Sequence, residues 1–214
     1  DQYNIYYGSG AGIDPETGYL TYWYEDADGT TKRTSDYSKQ SKYEQGSSLP
    51  DFQGGFNTTF RYAGFDLSIA TTFSLGGYAQ DSSYLNYTWY GFVPRGWNLH
   101  KDLLDSWTPD NKDASMPFLS YGIDSQPGQD FSTQFISKSY FNIKNITVGY
   151  TLPASVTNKI GMSTLRVFAS CENPWFVSAR KGFDPRTSIS PASSSNFAGY
   201  SQMRTVTFGL NVNF

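Results

Sequence analysis

The chain has 214 residues, a formal net charge of −3 and no long run of Lys or Arg, so it lacks the positive footprint that nucleic-acid binding requires. Aromatic residues make up 18% (17 Tyr, 16 Phe, 5 Trp) while mean hydropathy is −0.50. That pairing suits a sheet with one apolar and one wet face. The single Cys171 excludes an internal disulfide framework and any multi-Cys metal site, and the lone His100 excludes paired-His zinc spacings.

The sequence opens in Asp1-Gln2-Tyr3-Asn4 with neither a starting Met nor a signal peptide, and it reads as a piece of a longer polypeptide. No apolar run reaches the roughly 18 residues of a transmembrane helix. Residues 1–52 read as an extracellular loop region with room for its own small hairpin, Tyr19 to Glu25 against Thr30 to Thr34. Asp26, Asp28 and Gly29 resemble the start of a calcium loop, but the Glu that completes such a loop is missing, and an Asp-Gly turn is the better reading.

From Phe56 to Phe73 the pattern alternates through a turn at Ala63-Gly64, with Tyr62 opposite Phe65 and Phe60 opposite Leu67 on one face. The same register sets Arg61 opposite Asp66 on the other. Strands are also expected over 138–150 and 164–173, joined by Thr151-Leu152-Pro153 and one or two helical turns over Ala154 to Ile160. In the first of these, Ile146, Val148 and Tyr150 share a face that Phe141 and Ile143 miss. A bulge near Lys144-Asn145 reconciles them. At the end Val206, Phe208, Leu210, Val212 and Phe214 alternate with polar residues and Gly209, over a length that crosses an outer membrane as a tilted strand.

The connections alternate in length: the turn at 63–64 and the link at 151–163 are short, whereas 76–137 and 174–201 are long. Outer-membrane barrels have short periplasmic turns and long extracellular loops, so a periplasmic Phe214 places every connection on the side a barrel requires. The expected fold is all-β: an antiparallel transmembrane β-barrel segment of about five wall strands. The strands fall at 53–62, 65–75, 138–150, 164–173 and 202–214, and residues 76–137 and 174–201 form extracellular loops.

Several stretches resemble the C-terminal barrel of the SusC/RagA-like TonB-linked outer-membrane proteins of Bacteroidetes. They include Arg61-Tyr62-Ala63-Gly64-Phe65-Asp66-Leu67-Ser68, the run Ser139 to Pro153, Glu172-Asn173-Pro174, Gly182-Phe183-Asp184-Pro185 and the ending Gly209 to Phe214. The resemblance implies a plugged barrel of roughly 22 strands that imports oligosaccharides or peptides, integral to the bacterial outer membrane and powered through TonB. It implies a SusD-like surface lipoprotein as partner, contact with membrane lipid, and an upstream barrel and plug domain that are not in this sequence. No cofactor is expected.

Trp89, Tyr90, Trp97 and Trp107 are candidates to stack on sugar rings, or else to pack the long loop against itself or a partner. Arg61, Asp66, Lys144, Arg166, Asn211 and Asn213 are expected to face the lumen. Phe214, with Val212 and Leu210, resembles the signal read by the barrel-assembly machinery, as well as an interfacial aromatic. His100 with Asp102, Asp105 and Ser106 makes no triad by proximity alone, and no nucleophile elbow is present, so no enzyme activity is expected. The rival reading is a soluble β-sandwich that binds carbohydrate, which must bury its Phe and Val face against a second sheet.

Overall fold

The computed structural model describes residues 4–81, 84, 87, 88, 98–119, 135–187 and 202–214. They fall into two compact units, one drawn from Asp1–Leu49 and Gly77–Ser137, the other from Pro50–Gly76, Lys138–Thr187 and Tyr200–Phe214.

The first unit is made of short strands. β1 (Asn4–Gly8) pairs with β5 (Lys42–Ser47), β2 (Gly10–Ile13), β3 (Leu20–Glu25) and β4 (Thr31–Thr34) form a three-stranded sheet, and β8 (Tyr78–Gln80) pairs with β9 (Phe135–Ser137). Leu20, Tyr22, Ala79, Leu103 and Trp107 are buried in it. Gly18, at φ +73°, lets residues 14–19 lie against the Trp107 ring, where an added Cβ would come within 2.4 Å. The β3–β4 connection is a hairpin turn closed by Gly29 N–H donating to the Asp26 carbonyl. The Asp26 carboxylate pairs with Lys32, and that of Asp28 accepts from the Thr30 N–H.

The second unit is one antiparallel sheet of five strands, in the order β12-β11-β10-β7-β6: β6 (Phe52–Tyr62), β7 (Phe65–Leu75), β10 (Tyr140–Thr151), β11 (Thr164–Ser178) and β12 (Thr205–Asn213). Ala63 and Gly64 both take positive φ, 48° and 86°, the geometry of a two-residue turn whose twist matches its strands. Between β10 and β11 a single turn of helix, α1 (Ala154–Thr157), follows Pro153 and runs into a 3₁₀ turn that ends on Gly161 at φ +71°. β11 runs on to Ser178, so the strand expected to end at 173 continues five residues into the stretch expected to be loop.

The register explains how it does so. β10 carries one more residue than β7 between Ile143 and Asn145, and β11 one more again where Asn145 pairs with Glu172 and Ile143 with Trp175. Asn173 absorbs the extra length at φ +48°. Past Glu172 the β11–β12 ladder gives way to side chains: Asn173 Nδ2 donates to the Met203 carbonyl and Arg204 Nη2 to that of Pro174.

β11 is anchored beyond this by a buried ion pair. Arg186 donates from Nε and Nη2 to Asp184 at 2.8 and 2.7 Å and lies 4.2 Å from the Phe176 ring centroid. Ser178 Oγ donates to the Phe183 carbonyl at 2.6 Å. Burial alone would push the Asp184 carboxyl up, but hydrogen bonds from the Arg186 side chain and from the Arg186 and Gln202 backbone N–H groups outweigh it, and the carboxyl sits below its ordinary value. A lowered folded-state pKa gives stability that is complete above the unfolded value, about 4, and is lost as pH falls through the folded value. In the full-length protein, protease cleavage after residue 178 is therefore expected to rise below about pH 4, whereas Asp184→Asn shows high cleavage already at neutral pH.

Candidate functional site

Alternation divides the five-stranded sheet into two unlike faces. One carries the rows Tyr62–Phe65–Tyr150–Val167–Leu210, Phe60–Leu67–Val148–Ala169–Phe208 and Thr58–Ile69–Ile146–Cys171–Val206. Beyond the bulge it continues with Ile143 and Trp175, then Phe141 and Val177. The odd-numbered residues of β10 thus change faces at Lys144, which brings Phe141 and Ile143 onto the apolar side. Aromatics cluster at both ends: Phe65 and Tyr150 at 4.4 Å between centroids, and at the other end Phe141 with Phe56 at 6.5 Å and with Trp175 at 6.2 Å. Val206, Phe208, Leu210 and Val212 are all exposed, Phe208 at 80% and Phe214 at 89%. A sandwich would bury them, and no second sheet covers them among the described residues.

The opposite face is polar. Thr59, Ser68, Thr147, Ser170 and Thr207 form one row, with hydroxyl contacts of 3.3 Å between Thr59 and Ser68 and 2.9 Å between Thr147 and Ser170. Asn145 donates from Nδ2 to Ser170 Oγ and accepts from Thr147. The next row, Arg61–Asp66–Gly149–Phe168–Gly209, carries the acceptor of a two-bond ion pair. Arg166 reaches from β11 across β10 to Asp66 on β7, with Nε–Oδ1 at 2.9 Å and Nη2–Oδ2 at 2.6 Å. Asp66 is therefore forked to Arg166 rather than to Arg61, its neighbour in register.

Glycine makes this reach possible. A Cβ on Gly149 would lie 2.3 Å from Arg166 Nη2 and 2.6 Å from Asp66 Oδ1, and one on Gly209 would lie 2.3 Å from the Phe168 ring. The guanidinium passes over the first glycine, 5.2 Å from the Phe168 centroid, while that ring covers the second. Nothing about Arg166 in the sequence points to this partner 100 residues away. The available signal was two glycines inside otherwise regular strands.

Asn211 pairs in register with Arg166 and Asn213 with Thr164, both on the polar side of β12. Lys144 is exposed at the bulge, beside a concavity it shares with Asn57, Glu172 and Asn173. Trp107 is buried, edge-on to Phe118 at 6.1 Å with its indole N–H donating to the Pro15 carbonyl, so its faces are taken up inside the first unit and are closed to a sugar. Trp89, Tyr90 and Trp97 lie outside the described residues. Ser106 Oγ donates to the Leu103 carbonyl and Asp102 accepts from Tyr84, so the His100 neighbourhood assembles no nucleophile with a base.

The chain is 30% identical over 177 residues to TonB-dependent receptor P3 of Formosa agariphila, and 26% identical over 178 residues to TonB-dependent receptor P26 of the same organism. Each match spans 79% of this chain and 17% of the relative, so the chain covers about a sixth of these curated relatives. Among solved structures it superposes on a chain of the RagAB peptide transporter with a TM-score of 0.81 at 25% identity, over 99% of this chain and 23% of that one. A second match, to the RagAB peptide importer in its closed-closed state, has a TM-score of 0.79 at 26% identity, over 98% of this chain and 23% of that one. No family model matches.

Replacing Gly149 with Leu in the whole receptor must displace the Arg166–Asp66 fork. The expected loss is about 1–3 kcal/mol of stability, read as a lower temperature for the shift from folded to unfolded migration in detergent gels. Gly149→Ser should fall between the two.

Proposed function

We propose, for a chain that belongs to the SusC/RagA-like TonB-dependent receptors, that its five-stranded sheet is a section of barrel wall in an importer of bulky nutrients. Receptors of this kind are integral outer-membrane proteins and not enzymes. The proposed importer is driven through TonB by segments outside this chain and works with a SusD-like surface lipoprotein. Oligopeptides come first among its cargoes, because the RagAB transporter carries peptides; oligosaccharides are the other class.

The observation that carries this reading is the exposed apolar face, continuous through five strands and backed by a polar one. In lipid, a sheet whose backbone groups are paired strand to strand can leave side chains facing hydrocarbon at no cost, whereas in water the same face is an aggregation surface. The apolar side then meets lipid, with its two aromatic clusters near the headgroup levels. Arg61, Asp66, Lys144, Arg166, Asn211 and Asn213 face the lumen. The turn at Ala63-Gly64, the 152–163 link and Phe214 lie at one end of the antiparallel sheet and are assigned to the periplasm. The long connections at the other end are extracellular.

Deleting the gene for the whole receptor is expected to stop depletion of an oligopeptide mixture from the medium, followed by mass spectrometry, and a protonophore should have the same effect on wild-type cells. Unchanged depletion in the deletion strain would sink the transport reading. Phe214 is proposed to carry the assembly signal, so Phe214→Asp should lower the amount of receptor in outer-membrane fractions several-fold, while Phe214→Tyr leaves it unchanged.

A further inference from the structure

Where β10 and β11 each take in an extra residue, the polar face sinks into a concavity of about 550 Å³. Asn57, Lys144, Asn145, Glu172, Asn173 and Gln202 line it. Lys144 and Glu172 are exposed and opposite in charge, and neither has an ion-pair partner among the described residues. Asn173 is held at φ +48° with its Nδ2 on the Met203 carbonyl. Asn145 is fixed by Ser170 and Thr147.

A single ligand that satisfies both exposed charges carries a carboxylate for Lys144 and an ammonium for Glu172. An oligopeptide has both. A neutral sugar calls for neither charge and is best met by an aromatic plane, and among the described residues no aromatic lines the concavity. We infer that the concavity at the paired bulges is a subsite for zwitterionic oligopeptide cargo, with Lys144 receiving a carboxylate and Glu172 an ammonium group. This rests on the reading of the polar face as the lumen wall, and it assigns to that wall a part in choosing cargo.

The test places the photocrosslinking residue p-benzoylphenylalanine at Asn57 in the whole receptor, in outer-membrane vesicles. The probes are synthetic oligopeptides charged only at their termini, and the same peptides acetylated and amidated. Free peptides should form adducts about tenfold more than capped ones, a ratio corresponding to about 1.4 kcal/mol. Lys144→Glu and Glu172→Lys should each erase that preference, and the double reversal should restore it, which separates charge recognition from misfolding. Equal labelling of free and capped peptides overturns the inference. So do adducts confined to the receptor's own upstream residues, which would mean that a resident segment fills the concavity while the wall reading stands. Adducts with lipid acyl chains would overturn both.

Discussion

The two-residue period of side chains along a strand is the constraint on which the five-stranded sheet depends. Each strand must keep its apolar residues on one side from end to end, because a slip of one residue turns the whole set over. β6, β7 and β12 meet this with plain alternation. β10 does not, since Ile143 and Ile146 are an odd number of residues apart and yet share a face. The bulge at Lys144 restores the phase there, and the further residue in β11 keeps Trp175 beside Ile143 and Val177 beside Phe141.

Within this unit the described residues form one layer, and its polar side chains hold one another. They do so sideways, across strands. The fork from Arg166 to Asp66 ties β11 to β7 over the bare backbone of Gly149, and Phe168 covers Gly209 on β12. Four strands are joined by side chains in addition to their ladders. The hydroxyl row and Asn145 repeat the arrangement closer to the bulge. Ordering is thereby supplied by hydrogen bonds to charged and polar partners, which are individually worth more than neutral surface contacts.

Much of this sheet was legible because its signals are local. The Tyr62–Phe65 and Arg61–Asp66 register follows from alternation on both sides of a two-residue turn, and the misplaced Phe141 and Ile143 point to the bulge. What was not legible depends on distance. The fork joins residues 100 apart, so the nearer Arg61 looks like the natural partner of Asp66 until the fold is seen. The pairings of β1 with β5 and β8 with β9 involve strands of three to six residues, too short for a period to show. For Trp107 the sequence leaves sugar stacking and packing within the loop both open, because nothing local announces that Gly18 and Phe118 will enclose it. Asp184 and Arg186, two residues apart in a loop, gave no sign of being buried together over Phe176.

The paired bulges bear on how such a sheet can change over generations. A residue inserted into a strand with a neighbour on either side is tolerated only if that neighbour, and then the next, can take up the displaced length. At Lys144 and Asn173 the sheet has done this twice in succession, and the remainder is passed to the start of β12, where Asn173 and Arg204 side chains take over from the ladder. An insertion here fits the register only when its neighbours lengthen with it. The strands from β10 to β12 thus form a block that lengthens together, and related sequences should gain or lose residues at these positions in correlated steps.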